Sequence, residues 1–242
     1  MRAAILAGGL GTRLRSIVTD RPKPMAMIAG KPFLEHQIEF LKRGGVTDVV
    51  LCVGYLHEHI ERHFGDGARW GVNIFYSVEQ ELLGTAGALK HAARFLPGRF
   101  LALNGDSFHE FAAEAVAGFH IGQQPCGTDG ACLGTIVLTE ADATRGYGSV
   151  AINDRHRVLG FTEKPETATA SRWINAGVYF LEPSIFDLIP SGRKVSLERE
   201  TFPAALLRGY HLFGYPSSGY FVDIGTPEGF RRFGEYLHGR RG

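Results

Sequence analysis

Several residues along this chain have the types and spacing to handle a polyphosphate. Gly8, Gly9 and Gly11 fall within four residues, directly after the apolar run Ala3–Ala7, and Arg13 and Lys23 follow. A glycine-rich loop after a strand lets backbone N–H groups approach phosphate oxygens, because no β-carbon stands in the way. Arg13 would add a planar fork of donors and Lys23 a point charge. Two carboxylates, Asp106 and Asp223, each close an apolar run, Phe100–Leu103 and Tyr220–Val222. A carboxylate at the end of a parallel strand sits in the crevice where α/β proteins bind ligands. Mg²⁺ takes one or two carboxylates and completes its shell with phosphate oxygens and water. Asp after Asn-Gly is also an ordinary turn residue, so Asp106 taken alone leaves both readings open. The sequence does not tell whether the two acids meet.

Smaller signals lie between these. In Glu163-Lys164-Pro165 an acid able to accept from sugar hydroxyls stands beside a lysine able to meet a phosphate; alone, a solvated strand end accounts for it better. Asn175-Ala176-Gly177 interrupts an aromatic, β-branched run, which means either a bulge or a close approach from outside. Gln80 carries an amide able to pair with a base edge, and Gly84-Thr85-Ala86-Gly87 starts a helix with small residues, Thr85 as its cap. Familiar motifs are absent. Leu14 stands where the dinucleotide fingerprint needs its third glycine, and Pro32 follows Gly30-Lys31 where a P-loop needs Ser or Thr. His57, His59 and His63 share a predicted helix without an evident further ligand, so they read as a solvated face rather than a zinc site.

The elements that must position these residues alternate. Val49–Val53, Val72–Ser77, Phe100–Leu103 and Ala131–Leu138 read as strands. Between them lie helical segments over about 33–43, 56–64, 85–95 and 110–121. Strand and helix in turn give right-handed βαβ units on a mainly parallel sheet. In the second half, strands near 147–150, 158–162 and 173–180 follow a glycine-rich loop, Gly122 to Gly130. A helix over about 197–208 has Phe202, Leu206 and Leu207 on its apolar side and is split by Pro203. Thr226-Pro227 caps and opens a final helix.

Composition sets the bounds. With 242 residues, 44% of them apolar, the chain has enough material for a sizeable α/β core. Lys plus Arg is 26 against 25 for Asp plus Glu, which gives no electrostatic case for nucleic-acid or membrane partners. Cys52, Cys126 and Cys132 form no C-x-x-C pair, and no stretch reads as a signal peptide or a membrane span, so the expectation is a cytoplasmic protein.

The ordered set resembles a family, the nucleotidyltransferases that make nucleotide-sugars from a nucleoside triphosphate and a sugar 1-phosphate. Their G-G-x-G-T-R-L signature, followed by K-P, stands complete as Gly8–Leu14 and Lys23-Pro24. Gly84–Gly87, Asn104-Gly105-Asp106, Tyr147-Gly148, Glu163-Lys164-Pro165, Asn175-Ala176-Gly177 and Asp223-Ile224-Gly225-Thr226-Pro227 follow in the family's order over essentially the whole chain. One departure is Leu82, where the family has Pro.

The resemblance implies a three-layer, Rossmann-like, mainly parallel sheet with helices on both faces. It implies one catalytic domain over 1–242, with a nucleotide-binding half to about 110 and a sugar-phosphate half after it. It assigns Mg²⁺ to Asp106 and Asp223, and the transferring phosphates to Arg13 and Lys23. The nucleotide falls to Leu6, Ala7, Gly8, Gly9, Gly11, Thr12, Arg13, Gln80, Gly84 and Thr85. The sugar phosphate falls to Gly148, Glu163, Lys164, Asn175 and Gly177. The length, the Asn104–Ser107 turn and the Phe221–Pro227 ending look most like bacterial guanylyltransferases that use GTP and D-glycero-α-D-manno-heptose 1-phosphate. Mannose 1-phosphate guanylyltransfer stands next, then thymidylyl or uridylyl transfer to glucose 1-phosphate. A non-catalytic nucleotide-sugar-binding relative is the alternative of another class, and a homo-oligomer stays open.

Overall fold

The computed structural model describes residues 1–9, 21–124, 130–140, 147–163 and 171–240. Arg13, Gly11, Thr12, Lys164 and Cys126 therefore lie outside the described residues. The chain begins with β1 (Arg2–Leu6), a five-residue strand whose middle three residues are buried. A 3₁₀ turn over Lys23–Met25 and a two-strand corner, β2 (Met27–Ile28) and β3 (Lys31–Pro32), lead into α1 (Phe33–Arg43). Then come β4 (Asp48–Val53), α2 (His57–Phe64), β5 (Asn73–Val78), α3 (Gly84–His91) and β6 (Phe100–Asn104). Short β7 (Ser107–His109) and α4 (Ala113–Gly122) follow. The second half holds β8 (Cys132–Glu140), β9 (Ser149–Ile152), β10 (Val158–Thr162) and β11 (Trp173–Leu181). A π-helical turn, Leu197–Thr201, runs into α5 (Phe202–Leu207), followed by β12 (His211–Pro216), β13 (Phe221–Asp223) and α6 (Pro227–Gly239).

The main sheet runs β10-β9-β11-β6-β1-β4-β5, with β8 paired to β11 and β12 to β8. Its β6-β1-β4-β5 half is parallel, as the alternating pattern requires. Beyond β6 the mainly parallel sheet takes in antiparallel members, while β12 runs parallel to β8. β11 is antiparallel to β6, β8 and β9, and β9 and β10 form an antiparallel pair. Side chains alternate across the parallel strands with period two. Ala4, Val50 and Ala102 face Leu89 of α3 and Phe202 of α5. Ile5, Leu51 and Leu103 face Leu34 of α1, Ile60 of α2 and Val116 of α4. Helices thus cover both faces, the expected three layers. A third cluster joins Phe33 and Phe108 to Phe233 of α6, seating the last helix against the first.

Local expectations met the structure with mixed results. Thr226 caps α6, its Oγ1 accepting the Gly229 N–H at 3.1 Å. The helix split at Pro203 is real and takes the form of the π turn before α5. The bulge at Asn175-Ala176-Gly177 is also real: β11 shifts register against β8 between Asn175 and Tyr179. Thr85 does not cap α3, because its hydroxyl is engaged elsewhere. Leu207 is 90% exposed rather than on an apolar face, since α5 ends there and buries Phe202 and Ala205 instead. The helix expected from Glu110 begins at Ala113, because Glu110 N–H is already bonded to the Tyr220 carbonyl at 2.9 Å. β7 and β12 were not anticipated: three residues carry no readable period, and Gly214 and Pro216 break the strand pattern of β12.

Candidate active site

The C-terminal ends of β1 and β6 open onto a cleft of about 500 Å³. Leu6, Ala7, Gly8 and Gly9 line its floor beside Asn104, Gly105, Asp106 and Ser107. Leu82, Gly84 and Thr85 form one wall, and Tyr147, Gly148, Glu163, Asn175 and Gly177 the other. Lys23 and Asp223 close one end, while Lys194 and Glu198 lie near the start of α3. The crevice lies where an open parallel sheet places its ligands.

The segments that carry the two aspartates pair. β13 pairs with β7 so that Asp223 stands opposite Ser107, and Ile224 N–H donates to the Asp106 carbonyl at 2.9 Å. The Lys23 ammonium stands 2.8 Å from Asp106 Oδ2. A β-carbon added at Gly225 would come within 2.7 Å of Asp223 Oδ1 and 2.8 Å of Lys23 Nζ. Gly225 thus leaves room for both side-chain ends, and its own N–H donates to Asp223 Oδ1 at 2.6 Å. The Asp106 side chain is 40% exposed, so its ion pair with the 8%-exposed Lys23 contributes modestly to stability, roughly 1 kcal/mol or less. The cluster's significance is chemical: two oxygen donors of charge −1 and a cation, open toward the cleft.

Helix α1 supports this cluster from below. Its Gln37, 2% exposed, donates from Nε2 to the Asn104 carbonyl at 2.9 Å and the Ser107 carbonyl at 2.8 Å. These bonds bracket the turn that carries Asp106. Among the described residues no three His, Cys, Asp or Glu side chains gather into a metal cage. A pair of carboxylates facing an open cleft suits a hard cation that keeps waters and takes phosphate oxygens, which is the coordination Mg²⁺ prefers. His63, one of the histidines on α2, is 3.1 Å from Glu35 Oε2 and packs against Trp70.

The wall at α3 is built around Glu79. Its Oε2 accepts the Leu83 N–H at 2.8 Å, closing the loop that lacks the proline otherwise expected at Leu82. Its Oε1 lies against Gly8, which a β-carbon there would strike. Burial pushes the Glu79 carboxyl above its ordinary range, and the Leu83 N–H offsets part of that. Gln80 is placed differently from expectation. It is exposed and does not line the cleft; β5 ends at Val78, and in the bend that follows it is Glu79 that lines the cleft. The first turn of α3 is also partly used up, with Ala86 and Gly87 N–H both reaching the Val195 carbonyl, at 3.0 and 3.3 Å.

The opposite wall is held by Asn175 and Gly177 in the β11 bulge. Gly177 has φ +72°, and a β-carbon there would meet Ser107 Oγ at 2.6 Å, so the bulge presses directly on the Asp106 turn. Asn175 Oδ1 accepts the Gly177 N–H at 2.9 Å, while Asn175 N–H donates to the Gly148 carbonyl at 2.7 Å. Glu163 lies next to Gly148, its Oε2 being 2.7 Å from where a Gly148 β-carbon would sit. Every described residue expected at the site lines this cleft except Gln80. Sequence reasoning missed Glu79, Tyr147, Lys194 and Glu198 as lining residues. Glu79 was the most findable, as the first carboxylate after β5 and before the small-residue helix start. Nothing in the local sequence distinguishes Glu198 from the solvated charges beside it.

Comparison with known proteins bears on this geometry. A family model described as "Nucleotidyl transferase" matches residues 2–238. The mannose-1-phosphate guanyltransferase of Gibberella zeae is 40% identical over 236 residues, covering 95% of this chain and 62% of that protein. The mannose-1-phosphate guanylyltransferase of Mycobacterium tuberculosis is 37% identical over 232 residues, with the same shares, so the chain spans 62% of the length of these curated relatives. The crystal structure of HddC from Yersinia pseudotuberculosis superposes with a TM-score of 0.82 at 30% identity, covering 98% of this chain and 99% of that one. The same protein complexed with GMP-PN superposes with a TM-score of 0.80. With the match running nearly end to end and the motifs converging on one cleft, the chain belongs to the nucleotidyl transferase family.

Proposed function

We propose that this chain transfers GMP from GTP to a sugar 1-phosphate, D-glycero-α-D-manno-heptose 1-phosphate, giving the GDP-sugar and pyrophosphate. The observation that carries the transfer chemistry is the Asp106–Lys23–Asp223 cluster at the meeting point of the β1 loop and the β11 wall. The guanine nucleotide is supported by the guanyltransferase relatives and by the HddC complex with GMP-PN. The heptose is supported by the Asn104–Ser107 turn and the Phe221–Pro227 segment, whose likeness to the heptose guanylyltransferases is a sequence resemblance. Mannose 1-phosphate is the second reading, favoured by the names of the relatives at about 40% identity.

In this reaction a phosphate oxygen of the sugar 1-phosphate attacks the α-phosphorus in line, and pyrophosphate leaves. The nucleophile is already anionic, so no general base is required and catalysis is positioning with charge neutralisation. Asp106 and Asp223 would hold Mg²⁺, which supplies Lewis-acid neutralisation of the phosphates when bound. Lys23 fixes the Asp106 carboxylate and places a positive charge beside the phosphates. Glu163 and Asn175 would orient the sugar against Gly148 and Gly177, and Gly84 and Thr85 would approach the base. Arg13 and Lys164, outside the described residues, are assigned to the leaving phosphates and the sugar phosphate through the family resemblance.

The test is pyrophosphate release with Mg²⁺, crossing GTP, ATP, UTP, CTP and dTTP with heptose, mannose and glucose 1-phosphates. Release confined to GTP with the manno-heptose phosphate is the expected result. Release with GTP and mannose 1-phosphate alone replaces the sugar. Release with dTTP or UTP and glucose 1-phosphate replaces both substrates. Silence from folded protein with every pair overturns the proposal in favour of a non-catalytic binding relative.

A further inference from the structure

One buried carboxylate touches both sides of the cleft. Glu198, 7% exposed, lies in the π turn before α5. Its Oε2 accepts from Thr85 Oγ1 at 2.7 Å and from Ser196 Oγ at 2.8 Å. Its Oε1 accepts from the Tyr179 hydroxyl at 3.0 Å. Tyr179 is fully buried, and its hydroxyl in turn accepts from Asn175 Nδ2 at 2.7 Å. Asn175 then holds the Gly177 N–H at 2.9 Å. An unbroken line of hydrogen bonds thus runs from the first turn of α3 to the bulge that presses on the Asp106 turn. Thr85 is fixed at a second point as well, its Oγ1 accepting the Leu197 N–H at 2.8 Å.

The arrangement is specific. Burying a carboxylate is costly unless its lone pairs are satisfied, and here three hydroxyl donors from separate segments do so. Thr85 and Glu198 are 113 residues apart in the chain, so their contact exists only in the folded cleft. A π turn is an uncommon backbone form that tends to occur at functional places, and it is this turn that carries Glu198 into position. Removing Glu198 would leave the buried Tyr179 hydroxyl without its acceptor, release the half-buried Thr85 hydroxyl and free both walls to shift.

We propose that Glu198 is a positioning residue that couples the two sides of the cleft, setting the α3 start through Thr85 and the sugar wall through Tyr179 and Asn175. This rests on reading the cleft as a site for a nucleotide and a sugar phosphate. Each arm has its own test. Tyr179→Phe severs the sugar arm and is expected to raise the KM for sugar 1-phosphate about 3–10-fold, the worth of one ordinary hydrogen bond, with the KM for GTP unchanged. Thr85→Val severs the other arm and is expected to raise the KM for GTP by a similar factor with the sugar KM unchanged. Glu198→Gln, which keeps shape and one acceptor, is expected to raise both, and Glu198→Ala to raise both further.

Melting temperature is measured alongside. A merely structural role lowers it in all four variants without separating the two KM values, and that result overturns the proposal, as does a wild-type KM pair in folded Glu198→Gln. If the wild-type protein releases no pyrophosphate with any pair, the functional reading has failed instead. Equilibrium dialysis of GTP and of GDP-mannose against the same variants then tests the coupling alone. Separate losses from the two single-arm variants support it, and equal binding by all overturns it.

Discussion

At the residue scale the account turns on Asp106. Its carboxylate meets Lys23, stands beside the Asp223 loop and faces the cleft. Asp106→Asn keeps the shape of the turn, which Gln37 continues to hold by its backbone carbonyls, and removes one charge. Turnover is expected to fall by at least about 10²-fold, as for loss of a charge-stabilising group in a closed site. Stability should change by roughly 1 kcal/mol or less, because the side chain is partly exposed. Steady-state pyrophosphate release with urea unfolding of the same preparation checks both, and near-wild-type turnover would rule out the assignment. Asp106, Asp223, Lys23 and Asn175 were legible in the sequence because strand ends, glycine turns and a polar break in an aromatic strand leave local marks. Glu198 and Tyr179 were not, because their significance lies in partners far along the chain. The Glu79–Gln80 pair shows a further limit: both follow β5, which ends at Val78, and which of them faces the cleft is set by the bend rather than by a strand period.

At the scale of elements, the site stands on joints between strands and helices rather than on any one of them. β13 is only three residues long, yet its pairing with β7 brings Asp223 to Asp106. It is held there by α6, whose Phe233 packs at 5.3 Å from Phe33 of α1 and 4.9 Å from Phe108 of β7. The Thr226 cap begins α6 three residues after Asp223. Thr226→Ala removes one N-terminal acceptor and should cost about 1 kcal/mol of stability. Because the cap lies so close to Asp223, turnover is expected to fall more than the folded fraction does, which urea titration and activity at fixed protein concentration would separate. Loss of stability with fully retained kcat would show that the α6 start does not position Asp223. The parallel half of the sheet was legible from strand–helix alternation. The antiparallel half was not, because a strand's direction is set by its connections, and those run through hairpins and a bulge with no strong local signature.

At the scale of the whole molecule, acid should loosen the fold. Burial pushes the His109 pKa down to about 4. Burial lowers His36 and His120 as well. A histidine held neutral in the folded state and free to charge when unfolded contributes stability that is full above its unfolded pKa of about 6.5. That stability is lost as pH falls toward the folded value. For His109 the loss amounts to on the order of 3 kcal/mol between those limits. Urea midpoints at pH 7.5, 6 and 5 should fall in that order, and His109→Phe should flatten part of the slope; a flat wild-type profile would contradict the burial argument. Its position on β7, next to the β13 ladder, means the same protonation should impair the cleft before global unfolding.

The proposed reaction passes GMP intact to the sugar phosphate. The most direct measurement follows GTP labelled at the α-phosphate, incubated with Mg²⁺, the protein and manno-heptose 1-phosphate. The account predicts that the label appears in the GDP-sugar, in step with unlabelled pyrophosphate, and in nothing else. Label released as GMP without sugar product, or label that never leaves GTP while mannose and glucose 1-phosphates also fail, would contradict it.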